Sequence, residues 1–310
     1  MTTSDTVAGA VPVGRQGIAA LLAAMRPYQW PKSLLVFAAF IFSAGDAWQL
    51  DDAASWAPLL GRTAAMAALW CLASSATYLV NDVFDRDRDR LHPRKRYRPI
   101  ARGALSPRAA VVSAVTLNAV AIPLAFAVDL VAGLILAGYA ALMAAYSWEI
   151  KRVAILDVIV LTSGVIGRAV SGATAIDVEI SPWLYVCAGA AAFFFAISKR
   201  WAEFRDLGNG AARHRDALGV YTGEVLTQML IISGAAALLA FALYTIESDN
   251  VPANGAMALT IPFVAFAMFR YLLLLNGPRR GDPPDQILFT DPQILLAIGG
   301  FGAVALAVLL

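Results

Sequence analysis

The chain has 310 residues, 59% of them hydrophobic and only 15% charged, and a mean hydropathy of +0.66, which is more apolar surface than a water-soluble core can bury. An ordinary soluble enzyme is excluded and an integral membrane protein is expected. A net charge of +2 makes no case for a nucleic-acid partner, and two cysteines, Cys71 and Cys187, each inside an apolar run, leave neither a disulfide framework nor a zinc site.

The first fourteen residues are small and polar, without a charged n-region or a following apolar h-region, and read as a disordered tail. From Arg15 to Trp30 an interfacial helix is expected, broken at Pro27 and carrying Tyr28 and Trp30, ring types that favour the headgroup layer. Residues 1–25 thus form a tail and interfacial helix, and residues 26–310 a single transmembrane domain. Apolar stretches then run at Leu34–Ala44, Ala57–Val80, Ala109–Ala127, Leu130–Tyr146, Ala154–Ala175, Pro182–Ile197, Val225–Ile246, Ala256–Leu275 and Ile294–Leu310. Most approach the length that crosses a hydrocarbon core of about 30 Å, although the first is short unless its helix begins near Pro31. The expected fold is all-α, a polytopic membrane bundle of nine transmembrane helices.

Charge alternates along the connections. Gly45–Ser55, Val128–Asp129, Ile176–Ser181 and Glu247–Asn254 hold acids and no Lys or Arg, whereas the opposite side takes all of the 24 basic residues except Arg62 and Arg168. By the positive-inside rule the N-terminus and the basic loops face the cytoplasm of the plasma membrane and the C-terminus faces outward. Arg62 sits near an outer helix end, where snorkelling accounts for it. Arg168 lies eleven residues after Asp157, within about 20° on a helical wheel, so both fall with Gly164 on one stripe expected to face a wet cavity in the bundle. Arg168 either touches substrate or pairs with an acid elsewhere.

Chemistry concentrates between Asn81 and Gly103, NDVFDRDRDRLHPRKRYRPIARG. If the preceding helix continues, Asp82, Asp85 and Asp89 stand at i, i+3 and i+7 and share a face. Three carboxylates on one stripe repel one another. A hard cation resolves that repulsion, and Mg²⁺ takes one or two carboxylates together with substrate phosphates. The nine Lys and Arg from Arg86 to Arg108 supply counter-charge for an anionic substrate. A second cluster, Lys199, Glu203 and Asp206 with Arg200 beside them, again shares a helix face; the alternative is a self-contained Lys199–Glu203 ion pair. The fourth span ends in YSWEIK, adding Tyr146 and Lys151 on the same side. Lys32, just after Trp30, stands at headgroup depth.

The chain resembles the UbiA superfamily of intramembrane prenyltransferases: Asn81, Asp82, Asp85 and Asp89 match that family's first motif, NDxxDxxxD. Where members acting on aromatic acceptors carry a second motif, DxxxD, this chain has KRWAEFRD, which disfavours an allylic diphosphate donor. RPYQWPKS from Arg26 to Ser33, YSWEIK, and SKRWAE from Ser198 to Glu203 are similar to the decaprenyl-phosphate phosphoribosyltransferase branch. That resemblance implies Mg²⁺ held by Asp82, Asp85 and Asp89, a 5-phosphoribosyl 1-diphosphate donor, and a polyprenyl phosphate acceptor. The product would serve cell-wall arabinan synthesis. Lys95, Arg96, Arg98, Arg102, Lys199 and Arg200 would meet the donor phosphates and Lys32 the lipid phosphate, with Asn81, Tyr146, Lys151, Glu203 and Arg168 completing the site. An aromatic or quinone prenyltransferase and a non-catalytic polyprenyl-phosphate carrier stay open as rival classes. Alanines in the third and fourth spans suit tight helix packing or a homo-oligomer interface equally.

Overall fold

The computed structural model describes residues 13–179, 182–207, 219–248, 251–277 and 284–309. Residues 1–12 of the expected tail, and Arg213, Arg215, Arg279 and Arg280, lie outside them, whereas Val13 and Gly14, also expected in the tail, open a helix. The described residues are helical apart from turns and a single isolated bridge between Ala44 and Trp48. In chain order come α1 (Val13–Met25), a 3₁₀ helix (Pro27–Phe37) running into α2 (Ala38–Phe42), α3 (Ala53–Phe84) and α4 (Arg86–Leu91). Then follow α5 (Pro107–Val128), α6 (Leu130–Trp148), α7 (Leu156–Ala175) and α8 (Pro182–Leu207). The chain ends with α9 (Gly223–Glu247), α10 (Ile261–Asn276), α11 (Pro284–Thr290) and α12 (Pro292–Leu309).

Seven segments among the described residues are long and apolar enough to cross a membrane, and the protein is an integral membrane helical bundle. The nine expected crossings would add two more, the first apolar stretch and α8. The first stretch is not the α-helix that was expected. Pro31 lacks the N–H an α-helix needs, and the chain runs as 3₁₀ helix for 11 residues before five α-helical ones. At about 2.0 Å per 3₁₀ residue and 1.5 Å per α residue the whole segment reaches roughly 30 Å, so the larger rise of the tighter 3₁₀ winding makes up the missing length. It lies against α7 so closely that a Cβ on Gly172 would meet the Val36 carbonyl oxygen.

Local chemistry sets the helix ends. Asp52 caps α3 by accepting from Ala54 N at 3.0 Å, Ser106 caps α5 ahead of Pro107 at the first helical position, and Thr222 caps α9. Asp129 alone separates α5 from α6; its extended backbone turns the chain, and its carboxylate accepts from Ala132 N at 2.8 Å. Arg62 does more than snorkel there, since its Nη2 donates to the Val128 carbonyl at 2.9 Å and satisfies an orphan acceptor at the end of α5.

The core has two main halves. One gathers Trp70, Met66, Leu136 and the alanines Ala121, Ala125 and Ala132 where α3, α5 and α6 meet. In α5 it is the small residues Ala110, Ala114, Ala121 and Ala125 that are buried, so alanine here serves close helix packing within one chain. The other half packs Phe194, Leu230, Tyr271 and Ile294 between α8, α9, α10 and α12. The interfacial α1 lies on the end of this bundle, its Ala20, Ala24 and Met25 packed against Ala76 and Leu79 of α3 and Ile100 and Leu105 of the basic loop. That contact fixes the loop at the acidic end of α3.

Candidate active site

Helix α3 stops at Phe84. Asp85 caps it with φ −91° and ψ 1°, and α4 starts afresh at Arg86, so the three aspartates do not share one continuous face as the spacing suggested. Cations offset the repulsion: Asp82 and Asp89 share one, and Asp85 has another. Asp82 and Asp89, both buried, are bridged by Arg98, whose Nη1 donates to Asp82 Oδ1 at 3.1 Å and to Asp89 Oδ2 at 2.7 Å. Arg26 reaches the same Asp82 oxygen at 2.5 Å. Asp85 instead takes Lys151 Nζ at 2.5 Å and Asn81 Nδ2 at 3.0 Å, and Lys151 is itself buried in a short 3₁₀ turn, Ile150–Arg152, after α6.

These couplings shift the groups in the loop. Burial pushes the Asp89 carboxyl above the ordinary carboxylate range, only partly offset by Arg98, and the neighbouring Asp82 charge adds to the rise. For Arg26 burial acts downward and is the largest single influence, but Asp82, Tyr28, Tyr78 and Asp89 together outweigh it and the guanidinium is held still more firmly protonated.

A second network closes over the same end of the bundle. Arg200 of α8 is fully buried, and its donors are spread over three partners: Nε to Asp157 Oδ2 at 2.6 Å, Nη1 to Glu203 Oε2 at 2.7 Å, and Nη2 to Tyr146 Oη at 3.4 Å. Tyr221, beyond the segment that follows α8, donates to Asp157 Oδ1 at 3.3 Å and accepts from Ile155 N at 2.5 Å. Burial raises its phenol pKa. Ile155 has φ +68°, a left-handed conformation that is strained for a β-branched residue, and it begins α7 beside Asp157. The two networks approach through Arg94 and Asp206, 3.9 Å apart.

Of the other expected site residues, Lys95 and Lys199 are half-buried, Lys95 in the turn Lys95–Tyr97 and Lys199 one position before Arg200. Arg96 is exposed, its guanidinium stacked over Tyr97 and donating to the Tyr97 hydroxyl at 2.7 Å, and Arg102 is exposed. Lys32 is half-buried on the 3₁₀ segment.

Arg168 is separate from both networks and pairs with no acid among the described residues. It is clamped between the rings of Trp70, at 4.5 Å, and Tyr139, at 5.5 Å, and it donates to Ser74 Oγ at 2.6 Å and to the Gly164 carbonyl. A guanidinium desolvated against two rings ties α3, α6 and α7 together. Arg168→Ala is therefore expected to lower unfolding free energy by about 3 kcal/mol, from the lost cation–π and charge-assisted contacts, read by denaturant titration in detergent. Loss of transfer activity with unchanged stability would instead mean substrate contact.

Sequence reasoning missed Arg26 and Tyr221 as partners of site acids. The left-handed turn at Arg26 and the fold-dependent approach of Tyr221 leave no periodic signal; RPYQWPKS marked the first only as a resemblance.

No three acids or His/Cys side chains among the described residues stand as a ready-made metal cage. The site nonetheless suits a cation that arrives with a phosphorylated substrate. Asp82 Oδ2 is buried without a hydrogen-bond partner, and Mg²⁺ needs only one or two carboxylates when phosphates and water fill its other positions.

The model of the UbiA prenyltransferase family matches residues 38–290. A Mycobacterium tuberculosis protein named decaprenyl-phosphate phosphoribosyltransferase is 31% identical over 291 residues, covering 94% of this chain and 95% of the relative. Its namesake from Mycolicibacterium smegmatis is 30% identical over 302 residues, covering 94% and 93%. A solved UbiA homologue from Archaeoglobus fulgidus, bound to DMAPP and Mg²⁺, shares the fold with a TM-score of 0.71 at 20% identity over 94% of this chain and 99% of that one. With the acidic end of α3 built as described and likeness running almost end to end, the chain belongs to the UbiA prenyltransferase family.

Proposed function

We propose that the protein transfers the 5-phosphoribosyl group of 5-phosphoribosyl 1-diphosphate to a polyprenyl phosphate, with decaprenyl phosphate the acceptor its relatives' names indicate, at the cytoplasmic face of the plasma membrane. The observation that carries this reading is the near full-length likeness to two relatives so named. The composition of the site supports it. A donor with both a diphosphate and a 5-phosphate calls for more cations than a prenyl diphosphate does, and the basic loop after the acidic end of α3 supplies Lys95, Arg96, Arg98 and Arg102, with Lys199 on α8.

Mg²⁺ bound there would neutralise the departing diphosphate, as metal ions do for leaving phosphates. Asp82 and Asp85 would hold it, with Asp89 nearby. Arg98 and Lys151, now salt-bridged to those carboxylates, stand where they can share them and donate to diphosphate oxygens. The ribosyl C1–O bond to diphosphate breaks and a C1–O bond to the lipid phosphate forms from the opposite face, inverting the anomeric centre. The attacking phosphate is already ionised near neutral pH, so no side chain has to act as a strong base. Lys32, following the interfacial Trp30, is placed to steady that phosphate at headgroup depth.

Purified protein given labelled 5-phosphoribosyl 1-diphosphate, polyprenyl phosphate and Mg²⁺ is expected to move label into the organic phase, and to stop when EDTA removes the metal. No lipid-soluble label, together with prenyl transfer to an aromatic acceptor, would overturn the assignment in favour of the aromatic prenyltransferase.

A further inference from the structure

Arg26 is 56 positions from Asp82 in sequence and meets it at 2.5 Å. Three residues on one face of α3, at i, i+3 and i+7, organise this contact. Ser75 accepts from Trp30 Nε1 at 3.1 Å, and its single hydroxyl proton is shared between the Cys71 carbonyl of its own helix at 2.8 Å and the Met25 carbonyl at 3.2 Å, so it touches the chain on both sides of Arg26. Tyr78 lies under the guanidinium, 4.9 Å from ring centroid to Cζ. Asp82 takes the charge. Between these anchors Arg26 adopts φ 57° and ψ 62°, the left-handed conformation that glycine takes freely and an arginine does not. Strain of this kind persists only where the surroundings over-determine it.

The contact is lopsided at the acid. Asp82 Oδ1 receives both Arg26 and Arg98, while Oδ2, also buried, has no hydrogen-bond partner among the described residues. A divalent cation taking this carboxylate competes with two guanidinium groups for one charge. Arg98 keeps Asp89 as a second partner at 2.7 Å, so Arg26 is the one whose attachment the cation weakens most. Arg26 also stands at the membrane-surface turn, between α1 and the 3₁₀ segment that presents exposed Tyr28 and Trp30.

We infer that Arg26 is a displaceable counter-ion of Asp82: a divalent cation at Asp82 frees its guanidinium, which then takes the phosphomonoester of the acceptor lipid, coupling cation binding to acceptor positioning. The acceptor half rests on the phosphoribosyl-transfer reading; the counter-ion half does not.

The first test uses Mn²⁺ as probe, bound to the full chain in detergent without substrates and read by the electron paramagnetic resonance of free Mn²⁺. Arg26→Gln is expected to bind Mn²⁺ about tenfold tighter than the unaltered chain, the size of one charge-assisted contact removed from the competition, and Arg26→Lys to stay near the unaltered value. Ser75→Ala, which loosens the turn and keeps the charge, is expected to tighten binding by about threefold, and it serves if the Gln variant does not elute as a single species. Unchanged or weaker Mn²⁺ binding in both variants overturns the counter-ion. The second test reads kinetics: Arg26→Gln is expected to raise the acceptor KM about tenfold with the donor KM within about twofold. An equal rise in both constants overturns the acceptor half. If the unaltered chain transfers no phosphoribosyl group, the functional reading fails while the Mn²⁺ result still decides the counter-ion.

Discussion

Asp82→Asn is expected to lower the transfer rate by about 10²–10³-fold or more, the cost of removing one preorganised electrostatic contact at a site of developing charge. The substitution keeps shape and removes the charge that would hold Mg²⁺. It also strands Arg26 and Arg98, whose side chains are 16% and 22% exposed, so water and the remaining Asp89 limit the stability loss to about 1–2 kcal/mol. The rate therefore falls much further than stability does. Asp85→Asn should lower the rate alike but cost more stability, because Lys151, only 8% exposed, loses its carboxylate. Asp87→Asn is the internal control: it lies in the same motif, but its side chain is 88% exposed and meets only Arg90 at 3.5 Å, so its rate should stay within about twofold. Initial rates at saturating Mg²⁺, on protein that elutes as a single species in detergent, decide the matter. Near-normal turnover in Asp82→Asn and Asp85→Asn would sink the metal assignment.

The contrast between Asp87 and its neighbours shows what was legible beforehand. Spacing alone separated Asp82, Asp85 and Asp89 from Asp87, because a continuous helix of 3.6 residues per turn puts the first three on one side; the helix breaks at Asp85, yet those three still meet Arg98 or Lys151 while Asp87 stays exposed. The break at Asp85 was not readable, since no Gly or Pro marks it; it follows from how Lys151 and Arg98 approach from distant parts of the chain. Span positions were legible because lipid demands long apolar helices, and Ala109–Ala127 and Leu130–Tyr146 fall inside α5 and α6. The 3₁₀ winding of Pro27–Phe37 was not foreseen, since Pro27 was read as a break and Pro31 only as where the first span's helix would have to begin to be long enough. Asp157 and Arg168 were read as one stripe facing a wet cavity; both are buried among side chains, and their partners were not foreseeable. Helical periodicity says which way a side chain points, and only the packing of α3, α6 and α8 says what it meets there.

Asp157 accordingly carries the largest expected effect on stability. It is wholly buried, Arg200 is 2% exposed, and the two meet at 2.6 Å with Tyr221 on the other carboxylate oxygen. Asp157→Ala leaves a buried guanidinium short of one of its two acids, and removing one member of such a pair costs about 3–5 kcal/mol. Arg200→Met alone should cost about as much, because it strands Asp157. The double variant Asp157→Leu with Arg200→Met removes both charges and is expected to recover most of that loss, down to about 1 kcal/mol below the unaltered chain, since an apolar pair of similar volume avoids the desolvation that the ion pair must overcome. Transfer activity should not recover with it. Glu203 and Tyr146 are held at 2.7 and 3.4 Å by the same guanidinium, so the double variant is stable with these two side chains released. Denaturant unfolding of the four proteins in one detergent, followed by donor KM and kcat for each, separates the two roles. Recovery of stability and rate together would reduce Arg200 to packing, whereas recovery of stability alone makes it the residue that positions Tyr146 and Glu203 beside the acidic end of α3.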